Sequence, residues 1–279
     1  MTVTDAQVHI WLPESADRQW PAGGTAHAHA KSFGPNDLLA AMAEAGVDRA
    51  VLVPPSWEGD RNDYCSAAAA AFPDRFVYLA RLDLASEDVT NAYDRVRDSH
   101  GFKGFRLTFR KKESRELLLD GAVEWFWKAA ERDQLPVCVY VPDLLSEFVD
   151  IASRYRGLKL GIDHLGLPLD STEADFGPVT AQLLDFVDYE NVVLKATCLP
   201  SHVTDDYPFT SLHAPLERLI AAFGARRVFW GSDLSRLRCS YDEVRRLFTE
   251  ELAFLSGPSL DQTMGRGVEE WLGWTHESF

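Results

Sequence analysis

Short apolar runs alternate with longer amphipathic segments along the whole chain of 279 residues, and this alternation constrains the fold more than any other feature. Eight of the runs are rich in Val, Ile, Leu or Phe and nearly continuous, which is typical of parallel strands buried on both faces. They span residues 8–11, 50–53, 76–79, 102–107, 137–141, 158–162, 192–195 and 228–230. A polypeptide with this pattern is expected to form one parallel sheet.

The segments between these runs have helical periodicity. They span residues 38–42 (ending before Gly46), 65–72, 89–99, 121–133, 144–155, 179–187, 212–223, 241–255 and 260–271. Eight strands alternating with helices predict an α/β fold, a (β/α)8 barrel, whereas a doubly wound open sheet usually has fewer strands or a glycine-rich nucleotide turn. No linker divides the chain, so we predict a single domain over residues 1–279, with a long loop over residues 13–35.

The charge balance excludes several classes of partner. The chain has 43 acidic and 28 basic residues, a net charge of −15. Nucleic-acid binders and proteins of anionic membranes need a basic face, so neither partner is predicted. The N-terminus has no secretory signal, no apolar stretch is long enough to span a membrane, and the four cysteines form no C-x-x-C pair. We therefore expect a cytoplasmic protein, and the sequence leaves open whether it forms a homo-oligomer.

Polar side chains at the ends of the predicted strands are the candidate site residues, because active sites of (β/α)8 barrels lie at the C-terminal ends of the strands. In chain order they are Gln7, His9, Arg106, Arg110, Tyr140, His164, Lys195 and Asp233. Gln7 and His9 are two residues apart and would point to the same side of a strand. No G-x-S-x-G, Walker or H-E-x-x-H motif is present, which leaves serine-hydrolase, kinase and zincin functions without support.

Five motifs occur at strand ends in a set order: Q-x-H at 7–9, G-F-R at 104–106, D-H-x-G-x-P at 163–168, K-A-T-C at 195–198 and W-G-S-D at 230–233. As an ordered set they resemble the amidohydrolase-related branch of the amidohydrolase superfamily. The resemblance is nearest to the group of 2-pyrone-4,6-dicarboxylate lactonase, sugar-acid lactonases and sulfomuconolactone hydrolase. It spans nearly the whole chain.

The resemblance implies that the protein is a hydrolase that opens a lactone, a cyclic ester, bearing one or more carboxylates. Asp233 would take a proton from water, and His164 together with His9 would stabilise the oxyanion. The resemblance and the residue types also suggest a set of substrate-binding residues, Arg106, Tyr140, Gln7, Arg110, Lys195 and His29, for a small anionic substrate. Arg106 suits a carboxylate clamp because its guanidinium is a planar fork. For Lys195 a salt bridge inside the barrel is an equally good interpretation.

Gln7 is the main departure from the family pattern. Many members have H-x-H at strand one, where both imidazoles bind a divalent metal, and an amide is a poor substitute for an imidazole ligand. Only His9, His164 and Asp233 remain as ligands for a single ion such as zinc. The sequence therefore favours hydrolysis that requires no metal cofactor, with one divalent ion as the alternative. His27 and His29, in the 13–35 loop, have no assigned role in metal binding.

Two other functions remain open at this stage. One is a metal-dependent, non-oxidative decarboxylase of a small aromatic or unsaturated acid, against which Gln7 counts. The other is a catalytically silent relative that binds a small acid.

Overall fold

The computed structural model describes residues 1–20, 28 and 30–274, and it contains one eight-stranded parallel sheet in the order β1 to β8. The strands are β1 Thr4–Val8, β2 Arg49–Leu52, β3 Phe76–Ala80, β4 Phe102–Thr108, β5 Val137–Tyr140, β6 Leu160–Ile162, β7 Val192–Thr197 and β8 Val228–Gly231. Helices follow the strands, so the predicted (β/α)8 barrel of mixed α/β class is confirmed.

The helices surround the barrel. They are α1 Pro35–Ala45, α2 Asp63–Ala71, α3 Val89–Arg97, α4 Lys112–Leu119, α5 Glu124–Arg132, α6 Leu145–Arg154, α7 Phe176–Leu183, α8 His213–Phe223, α9 Tyr241–Arg246, α10 Gly257–Asp261 and α11 Gly267–Leu272. The pattern analysis missed α4, whose residues are largely exposed. Among the described residues, no helix is both long and apolar enough to cross a bilayer.

The first strand begins and ends earlier than predicted. The apolar run suggested residues 8–11, whereas β1 spans Thr4–Val8. Its polar side chains are fully buried because other elements supply their hydrogen-bond partners: Lys195 donates to Gln7, and Tyr241 donates to Asp5. A search for apolar residues alone therefore places the strand too late.

A polar seam joins β8 to β1. The backbone N–H of Asp233 donates to the carbonyl of Gln7 at 2.9 Å, and the Asp5 carboxylate accepts the backbone N–H groups of Ser232 and Gln7, each at 2.9 Å. The Ser232 hydroxyl and the Tyr241 hydroxyl (2.7 Å) also donate to Asp5. Burial raises the pKa of Asp5 to about 6. The seam thus fixes the segment that carries Asp233.

The C-terminal segment covers the end of the barrel at which the strands begin. Lys159, just before β6, donates to the carbonyl of Trp271, and the Arg49 guanidinium at the start of β2 lies 4.7 Å from the Trp274 ring centroid. Trp271 also packs on Phe229 of β8. These tryptophans therefore close one end of the barrel, and the cavity described below lies at the other.

Candidate active site

A cavity of about 650 Å³ opens at the C-terminal end of the strands. Its wall includes six of the residues predicted from sequence: His9 after β1, Arg106 in β4, Arg110 after β4, Tyr140 at the end of β5, His164 after β6 and Asp233 after β8. Strand ends that are far apart in sequence meet here because the eight strands are parallel and consecutive. The ordered motifs of the sequence therefore describe one place in the molecule.

Asp233 and His9 form a close pair at this cavity. The Nε2 atom of His9 lies 3.1 Å from Oδ1 of Asp233, and the His9 Nδ1 donates to the carbonyl of Val53 at 2.7 Å. Because a carbonyl can only accept, the contact with Asp233 is a hydrogen bond when the imidazole also carries a proton on Nε2. Burial acts to raise the pKa of Asp233, but the charge of His9 and its hydrogen bond outweigh burial and hold that pKa well below its usual range.

His164 is held in a different state. Its Nδ1 lies 2.7 Å from the Thr197 hydroxyl, and its Nε2 lies 3.3 Å from the Nε2 amide nitrogen of Gln7. The Lys195 ammonium donates to Oε1 of Gln7 at 2.5 Å, so the Gln7 NH2 group must face His164. His164 therefore accepts from Gln7 and donates through Nδ1–H to Thr197. Burial lowers the pKa of His164 to about 3, which keeps the ring neutral.

This protonation state bears on the role predicted for His164. A neutral ring with its proton on Nδ1 has no N–H on the Nε2 side, where Asp233 Oδ2 lies 3.7 Å away. His9, in contrast, has its Nε2 3.1 Å from Oδ1 of Asp233. Oxyanion stabilisation by His164 stays a prediction, and it would require a second proton on the ring.

A buried ion network lies beneath the cavity. The Arg106 Nε donates to Oδ2 of Asp163 at 2.9 Å, and the Lys195 ammonium lies 2.8 Å from Oδ1 of the same carboxylate. Burial acts to raise the pKa of Asp163, but the charges of Lys195 and Arg106 outweigh burial, and the pKa is lowered. Arg106 also donates through Nη1 to the Thr108 hydroxyl. The salt bridge that the sequence left open for Lys195 is therefore present.

Gln7 and Lys195 were predicted to contact the substrate, but the structure places both side chains away from the cavity. Both side chains are almost fully buried, and neither is part of the cavity wall. The ammonium of Lys195 is used by Asp163 and Gln7, and the amide of Gln7 is used by Lys195 and His164. The structure thus places them behind the wall, where they hold His164 instead of contacting a ligand directly.

Comparison with known proteins gives the chain its family. The model of the amidohydrolase family matches residues 4–274. The chain belongs to the amidohydrolase family. A curated relative, L-fucono-1,5-lactonase of Burkholderia ambifaria, is 28% identical over 239 residues, which cover 84% of this chain and 81% of that protein.

Solved structures share the fold of this amidohydrolase. A Burkholderia multivorans amidohydrolase with bound zinc has a TM-score of 0.82 and 19% identity, and the match covers 98% of this chain and 99% of that one. A Pseudomonas putida protein provisionally named 2-pyrone-4,6-dicarboxylic acid hydrolase has a TM-score of 0.71 and 22% identity, and the match covers 99% of each chain. These likenesses establish the barrel and leave the chemistry to be argued from the residues.

The remaining predicted substrate-binding residues have different positions in the amidohydrolase. The Tyr140 hydroxyl donates to the carbonyl of Leu167 at 3.1 Å, and burial raises the pKa of Tyr140 to about 12. Arg110 is exposed at the rim of the cavity. His29, like His27, lies outside the described residues.

Two arginines of the wall were not among the predicted substrate-binding residues. Arg236, three residues after Asp233, has its Nε 3.6 Å from the Asp233 Oδ2 and 3.2 Å from the Cys198 Sγ. Arg81 directly follows the last residue of β3, and its side chain contributes to the cavity wall. The signal that could have found Arg81 is simple: it is the first polar residue after the apolar run of β3.

The donor set for a metal ion is incomplete in this amidohydrolase. His9 Nε2 and the Asp233 carboxylate face each other, but the single Nε2 lone pair of His164 accepts from Gln7. Two ligands remain, whereas catalytic zinc sites usually have three. Accordingly, residues 1–20, 28 and 30–274 contain no group of three His, Cys, Asp or Glu arranged to hold an ion. The side chains present do not fit a tightly held divalent ion, and no step of the chemistry is assigned to one.

Proposed function

We propose that this amidohydrolase hydrolyses lactones that carry one or more carboxylates. The observation that carries the proposal is the buried Asp233–His9 pair, with 3.1 Å between Nε2 and Oδ1, at a cavity that also contains Arg106. A carboxylate can accept the proton of an attacking water, and a protonated imidazole can donate to the oxyanion. The name of the relative from B. ambifaria, a lactonase, supports the same reaction class.

The two members of the pair have complementary roles. Water attacks the ester carbonyl carbon, and its proton passes to Asp233, while the Nε2–H of His9 turns from Asp233 to the developing oxyanion. Loss of the His9 hydrogen bond raises the proton affinity of Asp233 at the moment when it must accept the proton. The intermediate then collapses: the ring C–O bond breaks, the proton on Asp233 passes to the leaving oxygen, and a hydroxy acid is formed. Positioned oxyanion donors typically contribute about 10²–10³ in rate.

The cations of the wall suit an acidic substrate. Arg106, the predicted clamp, uses its Nε and Nη1 for Asp163 and Thr108, which leaves Nη2 as the amino group without a partner in the described part of the chain. Arg110 lies at the rim, where it can meet an incoming anion. We keep a small anionic molecule as the predicted substrate, with no nucleic-acid or membrane partner. A homo-oligomer remains open.

We further propose that the reaction requires no metal. The B. multivorans structure contains zinc, so a zinc ion is found in one protein of this fold. In this chain the Gln7 amide, held by Lys195, takes the lone pair that His164 would offer. The alternative is a single ion with His9, His164 and Asp233 as ligands.

The other two functions of the sequence analysis have less support. Because the curated relative is a lactonase, a decarboxylase is not favoured. A catalytically silent acid-binding relative remains an alternative that the experiment below distinguishes.

The test is a screen of sugar lactones, muconolactones and pyrone carboxylates with the purified protein, before and after dialysis against a chelator, with the metal content measured in both samples. We expect hydrolysis of at least one carboxylate-bearing lactone, at a rate that chelation leaves within twofold. Absence of hydrolysis of every compound would favour the silent binder. Activity lost on chelation and restored by zinc would establish the metal-dependent alternative.

We also keep the prediction of a cytoplasmic protein. All four cysteines, Cys65, Cys138, Cys198 and Cys239, have free thiols, and the first three are buried. Free thiols are typical of reducing compartments. Fractionation of the native host would test this assignment.

A further inference from the structure

Two arginines stand side by side on one wall of the cavity. Ala80 of β3 pairs with Phe105 of β4, so Arg81 and Arg106, the next residues along each strand, are neighbours. Both contribute to the wall. Two like charges in adjacent positions of a partly desolvated site repel each other unless an anion lies nearby.

Only one of the two arginines forms an ion pair with the described residues. Arg106 binds Asp163, whereas Arg81 has no ion pair and no side-chain hydrogen bond with any residue in the ranges 1–20, 28 and 30–274. The Nη1 atom of Arg81 is fully enclosed and without a partner there. Burial, and then the neighbouring charge of Arg106, lowers the pKa of Arg81 to about 9, although the charges of Asp60 and Asp163 act in the opposite direction.

A half-buried guanidinium that has an enclosed, unpartnered Nη1 and no ion pair is costly to the protein unless a ligand supplies the negative charge. The cavity is the direction from which such a charge can come, because Arg81 forms part of its wall. The planar fork of a guanidinium matches a carboxylate better than it matches a hydroxyl group.

The position of Arg81 also indicates which part of a substrate it meets. In a barrel with strand order 1 to 8, β4 lies opposite β8 across the mouth, and Arg81 stands at the β3–β4 side. Asp233 follows β8. A lactone with its ester at Asp233 would therefore direct substituents on the far side of the ring at Arg81.

We propose that Arg81 is the specificity-determining residue that binds a ring carboxylate of the substrate, on the side of the cavity opposite Asp233. The inference rests on the proposed lactone hydrolysis for the identity of the ligand. Arg81 would favour the binding of acid-bearing lactones over neutral sugar lactones, because a neutral ring supplies no negative charge to Arg81. Arg106 then supports this carboxylate from beside Arg81 while its own charge is held by Asp163.

The test measures binding and turnover separately. Pyridine-2,4-dicarboxylate, a six-membered ring that cannot be hydrolysed, and its neutral dicarboxamide are titrated by calorimetry into the wild type, Arg81→Met, Arg81→Lys and the control Arg226→Met, an exposed arginine just before β8 at the opposite end of the barrel. We expect Arg81→Met to weaken the binding of the dicarboxylate by about tenfold or more, and the binding of the dicarboxamide by less than twofold. Arg81→Lys should retain part of the affinity for the dicarboxylate, and Arg226→Met should change that affinity by less than twofold.

Three results would overturn the proposal. The first is equal affinity of the wild type and Arg81→Met for the dicarboxylate. The second is an equal loss of affinity for both probes in Arg81→Met and in Arg81→Lys. The third is that the wild type does not bind the dicarboxylate. Turnover then distinguishes this inference from the proposed function: Arg81-dependent binding without hydrolysis of any lactone would refute the hydrolase and keep the anion subsite. If lactones are hydrolysed, Arg81→Met should raise KM for acid-bearing lactones about tenfold and leave neutral ones unchanged.

Discussion

Two polar regions at the same end of the barrel supply different partners to their buried carboxylates. In the Asp163 network, formed by Asp163, Arg106 and Lys195, the carboxylate has two cations within 2.9 Å. In the β1–β8 seam, formed by Asp5, Gln7, Ser232, Asp233 and Tyr241, Asp5 is bound by neutral donors. The nearest basic atoms to Asp233 other than those of His164 are His9 Nε2 at 3.1 Å and Arg236 Nε at 3.6 Å.

The difference distinguishes an acid held by two cations from Asp233, the acid that we propose as the base. Asp163 is neutralised in place, so its charge holds strands together and positions Lys195 behind Gln7. Asp233 is equally buried, but its nearest basic contact, His9 Nε2 at 3.1 Å from Oδ1, is longer than both contacts of Asp163, at 2.8 and 2.9 Å. A carboxylate that is charged but incompletely satisfied can exchange its weak contacts for a proton.

The largest effect on activity should come from substitution of Asp233, the proposed base. We expect Asp233→Asn to lower kcat/KM on an accepted lactone by about 10²–10⁴, because an amide cannot accept the proton of water. The measurement is steady-state hydrolysis at pH 7.5, with circular dichroism as evidence of folding. The matched control is Asp60→Asn, an exposed acid of the same cavity wall, which should change kcat/KM less than threefold. Full activity of Asp233→Asn would refute the assignment of the base.

Disruption of the Asp163 network should lower the free energy of unfolding. Asp163→Asn leaves Arg106 and Lys195 without their counter-ion in a buried site, and breaking a buried pair in this way costs about 3–5 kcal/mol. Urea denaturation monitored by fluorescence measures the loss. The exposed Asp150→Asn on α6 is the control and should change the free energy of unfolding by less than about 0.5 kcal/mol. A loss below 1 kcal/mol for Asp163→Asn would mean that the network is not a stabilising element.

The smallest effect should be the pH dependence contributed by Asp5. Its pKa is raised in the folded state from 3.8 to about 6, so folding favours the protonated form. Its contribution to stability is therefore full below about pH 3.8 and is lost as the pH rises through about 6. Because Asp5→Asn does not titrate, the stability of this variant relative to the wild type should increase by up to about 3 kcal/mol between pH 4 and 7.

Thermal denaturation of both proteins at intervals of half a pH unit measures this difference. Tyr241→Phe, which removes one donor to Asp5, is the companion variant and should move the transition to higher pH. A difference between wild type and Asp5→Asn that is independent of pH would contradict the seam as described.

The sequence predicted the barrel and the residues that meet at the cavity better than it predicted their contacts. The runs of β2 to β8 were found because strands buried on both faces are apolar throughout. The start of β1 was missed because Asp5 and Gln7 are polar and yet buried, with donors supplied by β7 and α9. Arg81 could have been found as the first polar residue after the apolar run of β3, but the order of residues does not reveal that its Nη1 has no partner among the described residues.

By itself the sequence determined the alternation of strands and helices, the family, and the presence of Asp233, His9 and His164 at strand ends. Periodicity and motif order are local properties, so they can be read along the chain. Only the tertiary structure decided which acid is neutralised, which proton His164 carries, and which arginine stays unpaired. Those outcomes depend on partners from distant strands, as in the contact of Lys195 with Gln7 across 188 positions of the chain.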